Sequence, residues 1–232
     1  MIEVKKTLVL ILIVITTILS FMVFTTRVNA ISNKLDTLMD EIMDNFYENI
    51  KKDPGLMASS NPYAYIDNNA AFDAIVELSY EALPYIKDKV EKSKSNGLKE
   101  YVYAIAAEKI GKVNLKGENF NWQTGKGWAI EWNKYLKELP ANFDKILVSN
   151  EPNPNKINKL TKLGTPAIPL IIDAVEKGNT ELIPALEALI EGNNDVKLDK
   201  EAKKDIKNWI KNNKHKFKVL RELIESPNEE TQ

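Results

Sequence analysis

"LGTPAIPLI", residues Leu163 to Ile171, decides how this chain is read. Eighty-five residues earlier, "LSYEALPYI" runs from Leu78 to Ile86. Both stretches put Leu first, Ala fifth, Leu or Ile sixth, Pro seventh and Ile ninth. Each opens a helical stripe with steps of three and four. In the first copy the stripe is Leu78, Ala82, Leu83, Ile86 and Val90, and in the second it is Leu163, Ala167, Ile168, Ile171, Ile172 and Val175. A second helix follows each time. "SNGLKEYVYAIAAEKIG" carries Leu98, Val102, Ile105, Ala106 and Ile110 on one face, and "GNTELIPALEALIEG" carries Leu182, Ile183, Leu186, Leu189 and Ile190. Gly111 and Gly192 then stand where a left-handed C-cap favours glycine. Trp132 in "GWAIEWNKY" and Trp209 in "DIKNWIKNN" add a third correspondence.

These patterns predict an all-α chain. A repeat domain covers 31–226, with unit one at about 67–138, unit two at about 154–216 and a flexible tail at 227–232. Thr165 is placed to cap its helix, with Pro166 at the first helical position. Pro84, Pro169 and Pro184 fall about one turn in, where proline bends a helix start at little loss of hydrogen bonding. Ala82 and Ala167 are expected to be buried where the first helix of each unit crosses the second, because a small side chain lets two helices approach closely. Leu83, Ile86, Ile168 and Ile171 are expected beside them.

A Pro-bent first helix followed by an Ala-rich second helix resembles the HEAT repeat family of helical hairpins. The residues that carry the resemblance are Leu163-Gly164, Ala167-Ile168-Pro169 and Ile171, and more loosely Leu78 to Ile86. The resemblance implies a short, curved α-solenoid that presents a surface to a partner, without implying catalysis. Two units are fewer than a solenoid usually needs, so the helix at 31–52 and the Trp-bearing helices at 125–138 and 199–213 are expected to complete the core. Asn61-Pro62-Tyr63 and "GLKEYVYAIAAEKI" also resemble a segment of exported proteins from Gram-positive-type bacteria.

The address is written at the N-terminus. After Lys5 and Lys6, residues Thr7 to Thr26 carry no charge. As a helix they would span roughly 30 Å, one bilayer core. A single-pass membrane anchor with the C-terminal domain outside is one reading of residues 1–30. A signal peptide cleaved after Ala30, giving a secreted protein, is the other, because Val28-Asn29-Ala30 offers small residues to a signal peptidase. Either way the domain works outside the cytoplasm. Without residues 1–30 the chain keeps 29 basic and 32 acidic residues, a balance that argues against nucleic-acid binding. The helix at 31–52 has an apolar stripe from Ile31 to Ile50 and an acidic opposite face (Asp36, Asp40, Glu41, Asp44, Glu48) that reads as solvated.

Catalytic chemistry leaves little trace. Cysteine is absent and His215 is the only histidine, set in the lysine-rich run "KNNKHKFK". "TGKGW" lacks the spacing of a phosphate loop, and no acidic cluster has calcium-loop spacing. No catalytic, cofactor or metal residue is assigned. The richest stretch is Asn114 to Tyr135, where Trp122, Trp128 and Trp132 fall within eleven residues. Trp128, Trp132 and Tyr135 share one helical face behind a Thr124 cap. Glu118, Phe120 and Trp122 lie ahead of it in a polar loop, as candidate contacts for a sugar ring or a partner peptide. The sequence therefore supports a non-enzymatic, membrane-held protein that binds a protein partner at the cell surface. A cell-wall glycan binder or hydrolase using the loop at 118–128 is the alternative.

Overall fold

The computed structural model describes residues 30–55, 61–117, 121–193 and 195–227. The apolar run at 7–26, Glu118, Phe120 and the last five residues lie outside them. Every element among the described residues is helical, and none of these helices is long and apolar enough to cross a membrane.

Helix α1 (30–52) buries Leu35, Met39 and Ile42 completely. α2 (Ala70–Glu77) starts at Asn69, whose side-chain oxygen accepts from the Ala71 and Phe72 N–H groups at 3.0 and 3.1 Å. α3 (Leu83–Lys92) and α4 (Leu98–Gly111) form the first hairpin. They also hold α1: Lys89 pairs with Asp36 at 2.7 Å, Lys99 with Asp40 at 2.9 Å, and the Tyr103 hydroxyl donates to the Leu35 carbonyl at 3.2 Å. Part of the acidic face of α1 is thus a docking edge and not purely solvated. α5 (Gly125–Leu147) crosses α4 at Gly125, where a Cβ would come within 2.5 Å of Glu100. α6 (Asn153–Lys162) leads into the second hairpin, α7 (Ile168–Glu176) and α8 (Ile183–Ile190). α9 (Lys200–Lys204), α10 (Ile206–Asn213) and α11 (Lys218–Glu225) end the domain.

The shared spelling is a shared turn. Ser79–Ala82 and Thr165–Ala167 are 3-10 turns, each followed without a break by an α-helix with Pro84 or Pro169 as its second residue. The backbones agree closely. Ala82 has φ −79°, ψ −20° and Ala167 has φ −77°, ψ −10°; Leu83 has φ −54°, ψ −47° and Ile168 has φ −51°, ψ −48°. Thr180–Leu182 before Pro184 is a third instance. Proline fits there because the first α-helical N–H groups have no acceptor inside the helix. Ala82, Leu83, Ile86, Ala167, Ile168 and Ile171 are all buried, whereas Leu78 and Leu163 are half-buried at the edge of the core.

Several sequence expectations need correction. Thr165 does not cap its helix: its hydroxyl donates to the Ile110 carbonyl at 3.0 Å and ties the turn to the end of α4. The left-handed residue after α4 is Lys112 (φ 50°), one past Gly111. Gly111 instead makes room for Trp132, whose ring would lie 3.1 Å from an added Cβ. The first Trp-bearing helix does not stop near 138 but continues through Pro140 to Leu147. The second, expected over 199–213, breaks at Asp205, whose side chain caps α10 by accepting from the Asn208 N–H at 3.1 Å.

The two hairpins are joined by the last helix. α11 packs on the Ser79–Ala82 turn, the Thr165–Ala167 turn, α5 and α7. Arg221 grips Asp173 of α7 with two bonds of 2.9 and 2.7 Å and reaches the Pro169 carbonyl at 3.3 Å. The Thr165–Ala167 turn therefore packs chiefly on α11, α5 and α4. In the second copy this differs from the expected crossing of α7 over α8, whereas the Ser79–Ala82 turn does touch α4; the two turns share a neighbour, α11.

Candidate functional site

Trp122 points inward. Trp122 is 1% exposed. Its indole N–H donates to the Glu108 carboxylate at 2.7 Å, and the Leu115 N–H donates to the same oxygen at 3.2 Å. Burial raises the Glu108 pKa above the ordinary carboxylate range, and those two donors hold it partly back. Lys116 closes the pocket from outside. Its ammonium lies 3.9 Å from the Trp122 ring centroid, 4.7 Å from Tyr101 and 5.6 Å from Tyr63, and it donates to the Tyr101 hydroxyl. Rings around an ammonium attract it through their negative faces. The expectation that Trp122 offers an open face to a sugar or peptide is overturned, because Lys116 and Tyr101 cover it. Glu118 and Phe120 lie outside the described residues.

The remaining tryptophans are core. Trp128 and Trp132 are fully buried with centroids 5.2 Å apart, and Tyr135 continues the stack and donates its hydroxyl to the Leu163 carbonyl at 2.5 Å. Thr124 caps this helix by accepting from the Gly127 N–H at 3.1 Å. Trp209 is also buried, with its indole N–H on the Lys197 carbonyl at 2.7 Å. Among the described residues, no group of three His, Asp or Glu side chains is placed to hold a metal ion.

A groove of about 1020 Å³ lies elsewhere, between α3 and α11. Ile31, Tyr80, Pro84, Tyr85, Val219 and Leu223 give it an apolar lining. Charges of both signs also line it, with Glu81, Asp88 and Glu222 beside Lys216 and Lys218, and His215 stands exposed at its edge. The walls are braced. Tyr80 donates its hydroxyl to the Lys216 carbonyl at 3.3 Å and stacks on Phe217 at 5.4 Å, while Lys87, itself buried, pairs with Glu91 at 3.4 Å. No local pattern assembles this groove, whose lining residue Leu223 is itself largely buried. Its one signal was Val219 and Leu223, four apart on α11 beside the buried Leu220 and Ile224, which widens the apolar stripe past what one neighbour covers.

No family model, curated protein or solved structure matches this chain.

Proposed function

We propose that this protein is a non-enzymatic, extracytoplasmic helical-hairpin module, built as a short HEAT-like α-solenoid and held at the membrane by residues 7–26, whose α3–α11 groove binds a protein partner. The groove's position beside Ile31 carries this reading. Four residues separate Thr26 from Ile31, and the five Cα–Cα steps reach at most about 18 Å. If residues 7–26 span the bilayer, the groove opens close to its surface. A segment that projects just outside the membrane from a neighbouring protein is then the occupant best placed to reach it. An apolar floor with a rim of mixed charge suits an amphipathic peptide, most simply a helix laid into the groove. It does not suit a polyanion.

Site-specific photocrosslinking in intact cells tests this. A photoreactive residue at Tyr85 or Val219 should give one discrete adduct. The same group at Ile130 or Val148, exposed apolar positions 70% and 78% accessible and not among the groove's lining residues, should not. Matching adducts from all four positions would remove the groove from the mechanism. A native N-terminus at Ile31 by mass spectrometry would replace the anchor with secretion.

A further inference from the structure

At the other end of α1 the surface chemistry changes. Glu41, Asn45 and Asn49 stand one turn apart along the helix. With Asp67, Asn68 and Asn69, in the turn before α2, they line a cleft of about 280 Å³. Its wall is the ring pair Phe46–Tyr65, with centroids 4.6 Å apart and planes at 78°. This volume lies just below the roughly 300–1,000 Å³ of sites for drug-sized ligands, which suits a single ring.

The lining residues keep their hydrogen-bonding capacity open. The side chains of Glu41, Asn45, Asn49, Asp67 and Asn68 are exposed and form no hydrogen bond or ion pair with another described residue. Asn69 commits its oxygen to capping α2 and keeps its one amide NH2 group. The local sequence also goes against folding convenience. Asn is a poor helix former, yet two of them occupy the outer face of α1, where Ala, Glu or Lys would serve the helix better. Asn68 sits at φ 53°, in the left-handed region. Sites that break local rules without a packing reward are where function is expected.

Sugar chemistry matches this set. A carboxamide presents an acceptor and donors in one plane, as neighbouring ring hydroxyls require, and the C–H face of a sugar packs against an aromatic ring. Glu41 and Asp67 can accept from hydroxyls but repel an anionic polymer. Asn45 lies fourteen residues beyond Ile31, roughly 21 Å further along the helix, so the cleft stands away from the groove. We propose that this cleft binds one uncharged sugar ring, a hexose or N-acetylhexosamine unit of a glycan. The assignment places glycan recognition on α1 instead of the loop at 118–128, and it is independent of what the α3–α11 groove binds.

The test uses the full chain in phospholipid nanodiscs, because sugar-headed detergents would compete. Calorimetric titration compares chitotetraose and cellotetraose with polygalacturonate. At least one neutral tetrasaccharide should bind saturably, and polygalacturonate should not. The double variant Asn45→Ala/Asn49→Ala should weaken binding at least tenfold with an equal or higher melting temperature, since alanine favours the helix. Phe46→Leu, which keeps apolar bulk without a ring, should also weaken it severalfold. The proposal fails if neither neutral tetrasaccharide binds, if the double variant binds like wild type, or if polygalacturonate binds more tightly than both.

Discussion

The hairpin α3–α4 and the hairpin α7–α8 open with the same nine-residue pattern and matching dihedrals at Ala82 and Ala167 and at Leu83 and Ile168, yet their surroundings differ. The first hairpin is the centre of the domain, with α1, α2 and α5 packed on it through salt bridges, a buried tyrosine hydroxyl and the Gly125 crossing. The second is attached at its start by a very close backbone approach. At Gly164 a Cβ would come within 2.3 Å of both the Gly111 carbonyl oxygen and a Val113 methyl. Local spelling therefore specifies the turn, and neighbours decide how tightly the turn is held. Position 2 of the pattern shows this best. It is Ser79 in one copy and Gly164 in the other, and both have positive φ, 61° and 78°.

The largest effect follows from that position. Gly164 combines φ 78° with ψ −179°, a region essentially restricted to glycine. Gly164→Ala adds the contact with Gly111 and Val113. Its cost should be about 3 kcal/mol or more in urea melts. A loss under about 1 kcal/mol would show that the second hairpin can move away from α4, and the contrast between a tightly and a loosely approached turn would disappear.

Ala82 and Ala167 come next. Both are 0% exposed and both turns face α11. Leucine at either should overpack that contact by about 1–3 kcal/mol. The sharper expectation is coupling. Because the two turns share α11, the double variant should depart from the sum of the singles by more than about 0.5 kcal/mol. Strict additivity would mean that each alanine packs within its own hairpin.

Alanine and apolar period act locally, so the all-helical class and the buried stripe were legible without coordinates, whereas the 3-10 turns that precede Pro84 and Pro169 look in the sequence like the helix starts themselves. What else stayed hidden depends on groups distant in sequence. Trp122 looks exposed because its loop is polar; only folding brings Glu108 to its indole and Lys116 over its ring. Gly111 looks like a cap because glycine often is one; its use here is the space Trp132 needs. The groove could not be assembled from spelling, since Ile31, Tyr85 and Val219 come from three distant segments. The Asn-lined cleft was written in α1 and in "DNN", but nothing local says that these face each other.

The second helices separate the hairpins further. α8 begins from a 3-10 turn and proline, whereas α4 begins from a carboxylate. Glu100 is buried and accepts from the Ser93 and Ser95 hydroxyls at 2.6 Å each and from the Gly97 N–H at 2.7 Å. Burial alone would raise its pKa, but these three donors and the Glu100 backbone N–H overcome that and hold it at about 2. A carboxyl lowered in the folded state stabilises it fully above the unfolded value of about 4.5 and progressively less as pH falls toward 2. Glu100→Gln should cost about 1–2 kcal/mol at pH 7 and should flatten the acid limb of the stability profile between pH 4.5 and 2. An unchanged acid limb would assign that pH dependence to other carboxylates.

The smallest effect has the opposite sign and returns to position 2. Ser79 holds φ 61° with a Cβ that prefers negative φ, a strain of roughly 1–2 kcal/mol for most L-residues. Glycine relieves that strain but gives some back, because its unfolded chain is freer by roughly 0.5–1 kcal/mol. Ser79 also accepts one long contact, 3.4 Å from the Asn193 side chain, which is too weak to reverse the sign. Ser79→Gly should therefore raise stability by about 0.5–1 kcal/mol, where Gly164→Ala lowers it. Opposite signs at matched positions would establish the two turns as one backbone solution with different side-chain tolerance. A destabilised Ser79→Gly would mean that the serine is fixed by its hydroxyl and not merely tolerated. The correspondence between the copies would then begin only at the alanine.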